Sequence, residues 1–284
     1  IGFIRKRDVV THPVTVIPGG FSSLPTEAYL RELKTTLADI VPDLKTVAGV
    51  ILSLAPKLPA FDRPTEYVAL KETGTYSLYH GPIGSTDTAE TVPVRQFERV
   101  VNEYVTAQST AKWCKWHRSS YAVGALARFN LCAEHLHPLA KSTAATLGLK
   151  KGCCNPYFNS IAQVVEMVQT VEDSLRLIDE LLTAGIKQEK PKVTPKAGEG
   201  AGAVEAPRGI LFHRYAFDKA GRCLKANCCI PTNQNHANIQ ADFEALAPQI
   251  ISKGQDEVRL LMEMLVRSYD PCISCSTHFL NVEF

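Results

Sequence analysis

Cys272 and Cys275 lie three positions apart, with His278 three further on, in the run Arg267-Ser268-Tyr269-Asp270-Pro271-Cys272-Ile273-Ser274-Cys275-Ser276-Thr277-His278. Soft thiolates beside an imidazole are the donors a transition metal asks for. The same spacing also serves zinc knuckles and thioredoxin-like redox pairs, so the surroundings must choose. A redox pair of that kind opens a helix in a β-α-β unit, where the helix N-terminus lowers one thiol pKa. Here the thiols follow a helix instead. Residues Gln255 to Val266 place Val258, Leu261, Met262, Leu265 and Val266 on one face. Pro271 is then expected to end the helix and to bias Asp270 towards extended backbone. Such a turn at the end of a packed element suits a rigid, buried cofactor. A zinc site generally draws four ligands from two spaced pairs. The other cysteines offer adjacent doublets, Cys153-Cys154 and Cys228-Cys229, whose side chains point to opposite faces of a strand. On these residues alone a zinc site or an ordinary buried pair stays open.

Arg208 follows Pro207 at the entrance of an expected strand, where a guanidinium can be fixed over a pocket and present oriented donors. Asp270 is a candidate partner for it. Pro231 and Thr232 follow another expected strand and by themselves read as a strand-end turn. His213, His117, His135, His137 and His236 lack comparable support and read as structural or exposed. Cys114, Cys132, Cys153, Cys154, Cys223, Cys228 and Cys229 read as packing residues.

Asp270-Pro271-Cys272-Ile273-Ser274-Cys275-Ser276-Thr277-His278 resembles the C-terminal signature of the nickel-iron hydrogenase large subunit. Glu205-Ala206-Pro207-Arg208-Gly209, with Leu211, His213 and Tyr215, is similar to a second signature of that family. Cys229-Ile230-Pro231-Thr232-Asn233-Gln234-Asn235 resembles a third. Upstream, His12-Pro13-Val14 with Gly19-Gly20, Ser109-Thr110-Ala111-Lys112, and Gly124-Ala125-Leu126-Ala127-Arg128-Phe129-Asn130 match in the same order, so the likeness runs from about Thr11 to His278. It implies reversible heterolytic cleavage of dihydrogen at a buried nickel-iron centre whose iron carries cyanide and carbonyl ligands. Cys272 would be a terminal nickel thiolate, Cys275 would bridge nickel and iron, and His278 would ligate a magnesium ion. Arg208 would face the open metal position, with Pro207, Pro231 and Thr232 lining the iron's diatomic ligands. Electrons would leave through iron-sulfur clusters held only by a partner small subunit and then through further electron-transfer subunits. A maturation protease would remove Phe279 to Phe284.

The family also carries an N-terminal Cys-x-x-Cys, and no cysteine precedes Cys114 here. With Ile1 as its first residue, residues 1–284 read as a single C-terminal fragment of the large-subunit domain. Other readings of the same fold and thiols are a metal-free, quinone-reductase-like scaffold subunit and a zinc-stabilised interaction module.

Composition narrows the class. The chain has 284 residues, 45% hydrophobic and 21% charged, enough for a substantial core. A net charge of +2 gives no nucleic-acid footprint. No apolar run approaches the roughly 18 to 20 residues of a membrane span. Nine cysteines without secretory spacing favour reduced thiols and a cytoplasmic location.

The elements that must position these residues follow from periodicity. A short strand and Gly-Gly turn are expected over Thr11 to Phe21. A Ser23-capped helix then runs from about Pro25 to Leu54, kinked at Pro42. Tyr67 to Leu78 is a hairpin candidate, while Val94 to Thr106, Ser119 to Cys132 and Glu134 to Leu147 read as helices. The clearest helix is Ser160 to Leu182, with Ile161, Val164, Val165, Val168, Val171, Leu175, Ile178 and Leu182 in one stripe. Residues 187–202, rich in Pro, Gly and Lys, read as a surface loop. Gly209 to Phe217 and Arg222 to Ile230 form a hairpin about Asp218-Lys219-Ala220-Gly221. The expectation is an α+β fold, mainly helical: a long-helix bundle with small antiparallel β elements, hydrogenase large-subunit-like.

Overall fold

The computed structural model describes residues 24–187 and 194–272. The expected strand and turn over Thr11 to Phe21, the Ser23 cap, Cys275 and His278 lie outside the described residues.

Two helices open the described chain, α1 (Glu27–Asp39) and α2 (Val41–Leu54), where one kinked helix was expected. Pro42 has no N–H to donate and its ring crowds the preceding turn, so the helix is interrupted at Ile40. Thr26 caps α1 by accepting from the Tyr29 N–H at 3.3 Å. Strand β1 (Glu66–Leu70) is buried along its whole length. Its partners are not the expected hairpin arm: β2 (Ile83–Ser85) pairs with it antiparallel on one side. A later strand pairs with it in parallel on the other.

The helix expected over Val94 to Thr106 is only a 3-10 turn followed by α3 (Glu98–Val101). Phe97, Val100 and Val101 do have helical spacing and are buried. Asn102, however, adopts φ 35° and its side-chain amide donates to the Arg99, Val100 and Lys115 carbonyls, which stops the helix. The chain leaves as the hairpin β3 (Tyr104–Thr106) and β4 (Ser109–Trp113).

Strand β5 (Tyr121–Ala122), the parallel partner of β1, takes the first part of the helix expected from Ser119. Gly124, at φ 117°, turns the chain into α4 (Ala125–Cys132). Pro138 sits in the first turn of α5 (Pro138–Thr146), so that helix starts later than expected. Helix α6 (Asn159–Ala184) matches the predicted stripe, with Ile161, Val164, Val165, Val168, Val171 and Ile178 buried, and ends at Gly185.

The last sheet is antiparallel: β6 (Gly198–Ala206), β7 (Gly209–Phe217) and β8 (Cys223–Cys229), with β7 central. The expected hairpin is β7–β8, its turn closed by Asp218, which accepts from the Ala220 and Arg222 N–H groups. Strand β6 corrects the reading of 187–202 as loop over its final residues. Gly198, Gly200 and Gly202 pair with Phe217, Tyr215 and His213, so the ladder is held by backbone with little help from side chains. Residues 188–193 of that segment lie outside the described residues.

Helices α7 (Pro231–Ile250) and α8 (Gln255–Ser268) complete the chain. The larger core gathers α4, α6 and parts of α5, α7 and α8 around Phe61, Tyr67 and Leu126. A second core, under the two hairpins, stacks Phe97 on Phe212 at 4.8 Å and includes Cys114, Tyr121, Ile210 and Cys229. Among the described residues no helix is long and apolar enough to cross a membrane.

Candidate metal centre

Pro207 and Arg208 form the two-residue turn between β6 and β7, with Ala206 paired to Gly209 across it. The geometry requires glycine at 209. Its φ is 139°, and a Cβ there would fall 2.3 Å from Val123 Cγ2. Gly124 is the counterpart on the facing segment, where a Cβ would lie 3.1 Å from the Arg208 carbonyl oxygen. The two glycines thus let the Arg208 turn lie directly on the start of α4.

Beneath this turn lies a fully buried cation. Arg128 Nη1 donates to Glu205 Oε2 at 2.8 Å and to the Ala206 carbonyl at 2.9 Å. Its Nη2 reaches the Pro207 carbonyl at 3.1 Å and Glu166 Oε2 at 2.6 Å. The other Glu205 oxygen accepts from the Leu70 N–H at 2.7 Å, and Tyr76 donates to Glu166 at 2.6 Å. Burial pushes the Glu205 carboxyl upward, opposed by the adjacent Arg128 guanidinium. Sequence reasoning quoted Arg128 only as part of a matching stretch. A lone charge inside Ala125–Cys132 was the signal available.

Arg208 itself points the other way, to the C-terminal segment. Its Nε donates to the Asp270 carbonyl oxygen at 2.5 Å, and Nη2 to Asp270 Oδ1 at 3.3 Å. Asp270 is not extended, as Pro271 led us to expect, but has φ 49°. It occupies the left-handed position just past a helix end, with its N–H donating to the Arg267 carbonyl at 3.0 Å. A short polar side chain tolerates that conformation, and the contacts to Arg208 fix it. Helix α8 ends at Ser268, ahead of Pro271.

Helix α7 brings the third segment. Pro231 lies in its first turn, and the buried Thr232 Oγ1 accepts the Cys272 N–H at 3.2 Å. Asn235 Oδ1 accepts the Val123 N–H at 2.8 Å while Nδ2 donates to the Val123 carbonyl at 3.3 Å and towards the Arg208 carbonyl at 3.5 Å. Asn238 Oδ1 accepts from Arg63, Thr65 and Ser120 at 2.6, 2.6 and 3.0 Å. Its Nδ2 donates to the Tyr269 hydroxyl at 2.7 Å, and that hydroxyl donates to Asp242 Oδ2 at 2.5 Å. Asp242 also accepts from Arg63 Nε. Burial raises the Asp242 carboxyl, and Arg63 and Tyr269 oppose the shift. This buried network holds Tyr269, and so delivers Asp270 and Cys272 to Arg208 and Thr232. None of Arg63, Asn238, Asp242 or Tyr269 was singled out from sequence, because pairs separated by 175 or 179 positions leave no local pattern.

Six of the eight candidate site residues, Pro207, Arg208, Pro231, Thr232, Asp270 and Cys272, therefore lie on segments joined by these contacts. Cys275 and His278 lie outside the described residues. The residues present suit a nickel-iron pair. Cys272 offers a soft ligand, and Arg208 offers cationic donors. Having accepted the Cys272 amide, the Thr232 hydroxyl keeps its own proton to donate to an anion. Helix α7 also directs its positive end to the same place. Of the seven cysteines read as packing residues, Cys114, Cys132 and Cys229 are buried, Cys153 and Cys154 half-buried. Cys223 and Cys228 are exposed, on β8 at the edge of its sheet.

Solved chains share this architecture. The NAD+-reducing [NiFe]-hydrogenase in its H2-reduced state superposes with a TM-score of 0.79 at 22% identity, covering 92% of this chain and 62% of that one. The reduced Ni-Fe-Se hydrogenase of Desulfovibrio vulgaris Hildenborough gives 0.68 at 18% identity, covering 98% and 66%. The fold is that of a hydrogenase large subunit. In sequence, sulfhydrogenase 1 subunit alpha of Pyrococcus furiosus is 31% identical over 276 residues, and sulfhydrogenase 2 subunit alpha of the same organism 26% over 282. The chain belongs to the nickel-dependent hydrogenase family, which matches residues 43–278. Each alignment takes in 95% of this chain and 63% of the relative, so the chain spans under two thirds of their length.

Proposed function

We propose that this chain supplies the C-terminal half of the active site of a nickel-iron hydrogenase large subunit, which splits or forms dihydrogen reversibly. The observation that carries the reading is the meeting of Arg208, Asp270, Thr232 and Cys272, drawn from three segments far apart in sequence. A nickel-iron pair with cyanide and carbonyl ligands, when bound, supplies the Lewis acidity that polarises dihydrogen. Cys272 and, in the undescribed tail, Cys275 would hold it, with His278 ligating magnesium. Arg208, fixed at Nε by the Asp270 carbonyl, presents oriented donors to developing charge without reorganising. Thr232 and the Pro231 ring would line the side of the iron ligands, the hydroxyl by donation and the ring by excluding water. The thiolate of Cys272 would accept the proton that cleavage releases, while Arg208 stays cationic and only donates.

The proposed partners are an iron-sulfur small subunit, further electron-transfer subunits and a maturation protease acting beyond His278, in a cytoplasmic heteromer. The thiol and guanidinium together favour this reading over a metal-free scaffold, which needs neither. The test is dihydrogen oxidation and metal content of the complete complex. Wild type should contain nickel and turn over, and Cys272→Ala should lose both. A Cys272→Ala complex with undiminished turnover would sink the assignment.

A further inference from the structure

A second cluster of metal-binding side chains lies in the core beneath the hairpins and shares none of its three residues with the nickel-iron site. Cys114 follows β4 and Cys229 ends β8, and both are fully buried. Their sulfurs are 3.9 Å apart. Glu103, just before β3, brings a carboxylate oxygen so that the ligand atoms of all three residues lie within 4.8 Å of one another. We propose that Glu103, Cys114 and Cys229 bind one zinc-class divalent ion that pins the β3–β4 hairpin to the end of β8.

The distances fit a shared ion. Two thiolates bound at about 2.3 Å to one tetrahedral centre stand about 3.8 Å apart, which is the separation found. The carboxylate is the hard third donor that zinc accepts beside sulfur. Its side chain keeps 14% of its surface exposed, so the ion has a way in and a water a way to the fourth position. Charge also fits. Two thiolates and a carboxylate around a divalent cation leave one net negative charge, and Lys112 Nζ stands 3.4 Å from Glu103 Oε2 to offset it. Without an ion, the Cys229 thiol is held protonated by its hydrogen bond with Cys114 and by burial. Binding therefore releases two protons, one from each thiol, and forms two metal–sulfur bonds and one metal–oxygen bond. No oxidant or reductant enters.

This site would act on structure. Cys229 precedes Ile230, Pro231 and Thr232, so an ion held there fixes the entry of α7 into the candidate metal centre. The proposal does not depend on the hydrogenase reading, and its test avoids that site. The full chain carrying Cys272→Ala and Cys275→Ala, produced with added zinc under reducing, anaerobic conditions and washed with chelator, should keep about one zinc per chain by plasma mass spectrometry. Adding Cys114→Ala and Cys229→Ala should cut this at least about tenfold. Cobalt(II) should give a thiolate-to-cobalt charge-transfer band in the parent that the fourfold variant lacks. Glu103→Gln sits at the rim, leaves the core cysteines in place, and should weaken cobalt binding by about tenfold or more. That variant keeps the question answerable where the double core change does not fold. A parent chain without zinc or the cobalt band, zinc that persists after Cys114 and Cys229 are replaced, or a Cys114–Cys229 disulfide in place of metal would each overturn the site.

Discussion

Arg128 and Glu205 form an ion pair sealed from solvent: Nη1 to Oε2 is 2.8 Å, with side-chain exposures of 2% and 0%. The same guanidinium donates to the carbonyls of Ala206 and Pro207, so a buried arginine holds the turn that carries an outward-facing one, Arg208. Two arginines on different elements thus meet at one turn, one buried beneath it and one projecting from it.

Arg128→Met should consequently strip the charge partner from Glu205 and Glu166 together. Removing one side of a buried pair costs about 3–5 kcal/mol, because the remaining charge has no water to turn to. Urea unfolding of the full chain should show the midpoint fall accordingly. An unchanged midpoint would mean that the carboxylates find other partners.

Gly209→Ala tests the close approach beneath Arg208. The new Cβ meets Val123 at 2.3 Å and the backbone must hold φ 139°. We expect a stability loss of roughly 1–3 kcal/mol from the strained backbone alone. Hydrogen-deuterium exchange should show the Arg208 turn loosened. Combining it with Val123→Ala should restore only part, since the Val123 Cβ is itself 2.7 Å away and the backbone strain remains. Full recovery in the double variant would assign the whole cost to the methyl contact.

Arg208→Lys keeps the charge and loses the planar fork that engages the Asp270 carbonyl and carboxylate. In the complete enzyme, dihydrogen oxidation should fall roughly a hundredfold or more, with nickel and iron retained. Loss of metal in step with activity would make the role of Arg208 structural.

Acid stability should depend on His236. Its Nε2 is buried without a hydrogen-bond partner among the described residues, and burial holds the imidazole below its ordinary value. In the window from about 6.5 down to the depressed folded value, the unfolded chain binds a proton that the folded chain refuses. That stability is present above the unfolded value and is lost as pH falls through the folded one. The thermal midpoint of wild type should drop on acidification through this window, and His236→Gln should drop less. Equal slopes would remove His236 as the responsible group.

The sequence showed most where one element carries its own periodicity. Helix α6 and the β7–β8 hairpin stand where the Val164–Val168–Val171 spacing and Asp218-Lys219-Ala220-Gly221 put them. Strand β6 was unreadable because alternating glycines give no side-chain pattern, and its evidence is a backbone ladder with β7. The segment around Val100 misled because three buried residues, Phe97, Val100 and Val101, satisfy a helix as well as they do a turn that Asn102 cuts short. At the site, Arg208 and Asp270 were legible as candidates through their neighbours Pro207 and Pro271. The left-handed Asp270 was not, since the helix end and the Arg208 contacts together outweigh the bias of the following proline. Arg63, Asp242 and Tyr269 act only through one another, and no window of sequence contains them all.

Thr232, Asn235, Asn238 and Asp242 recur every three or four residues along α7 and tie it to Cys272, to Val123 and, by the last two together, to Arg63 and Tyr269. Because one rigid rod carries all four, none of them can be adjusted by itself: turning α7 to improve one bond spoils the other three. Substitutions on this face should therefore be inherited as sets, Asn238 with Thr65 and Ser120, Asp242 with Arg63 and Tyr269. Across relatives, the record of this site should be read as covarying groups anchored on one helix, more than as a roll of invariant positions.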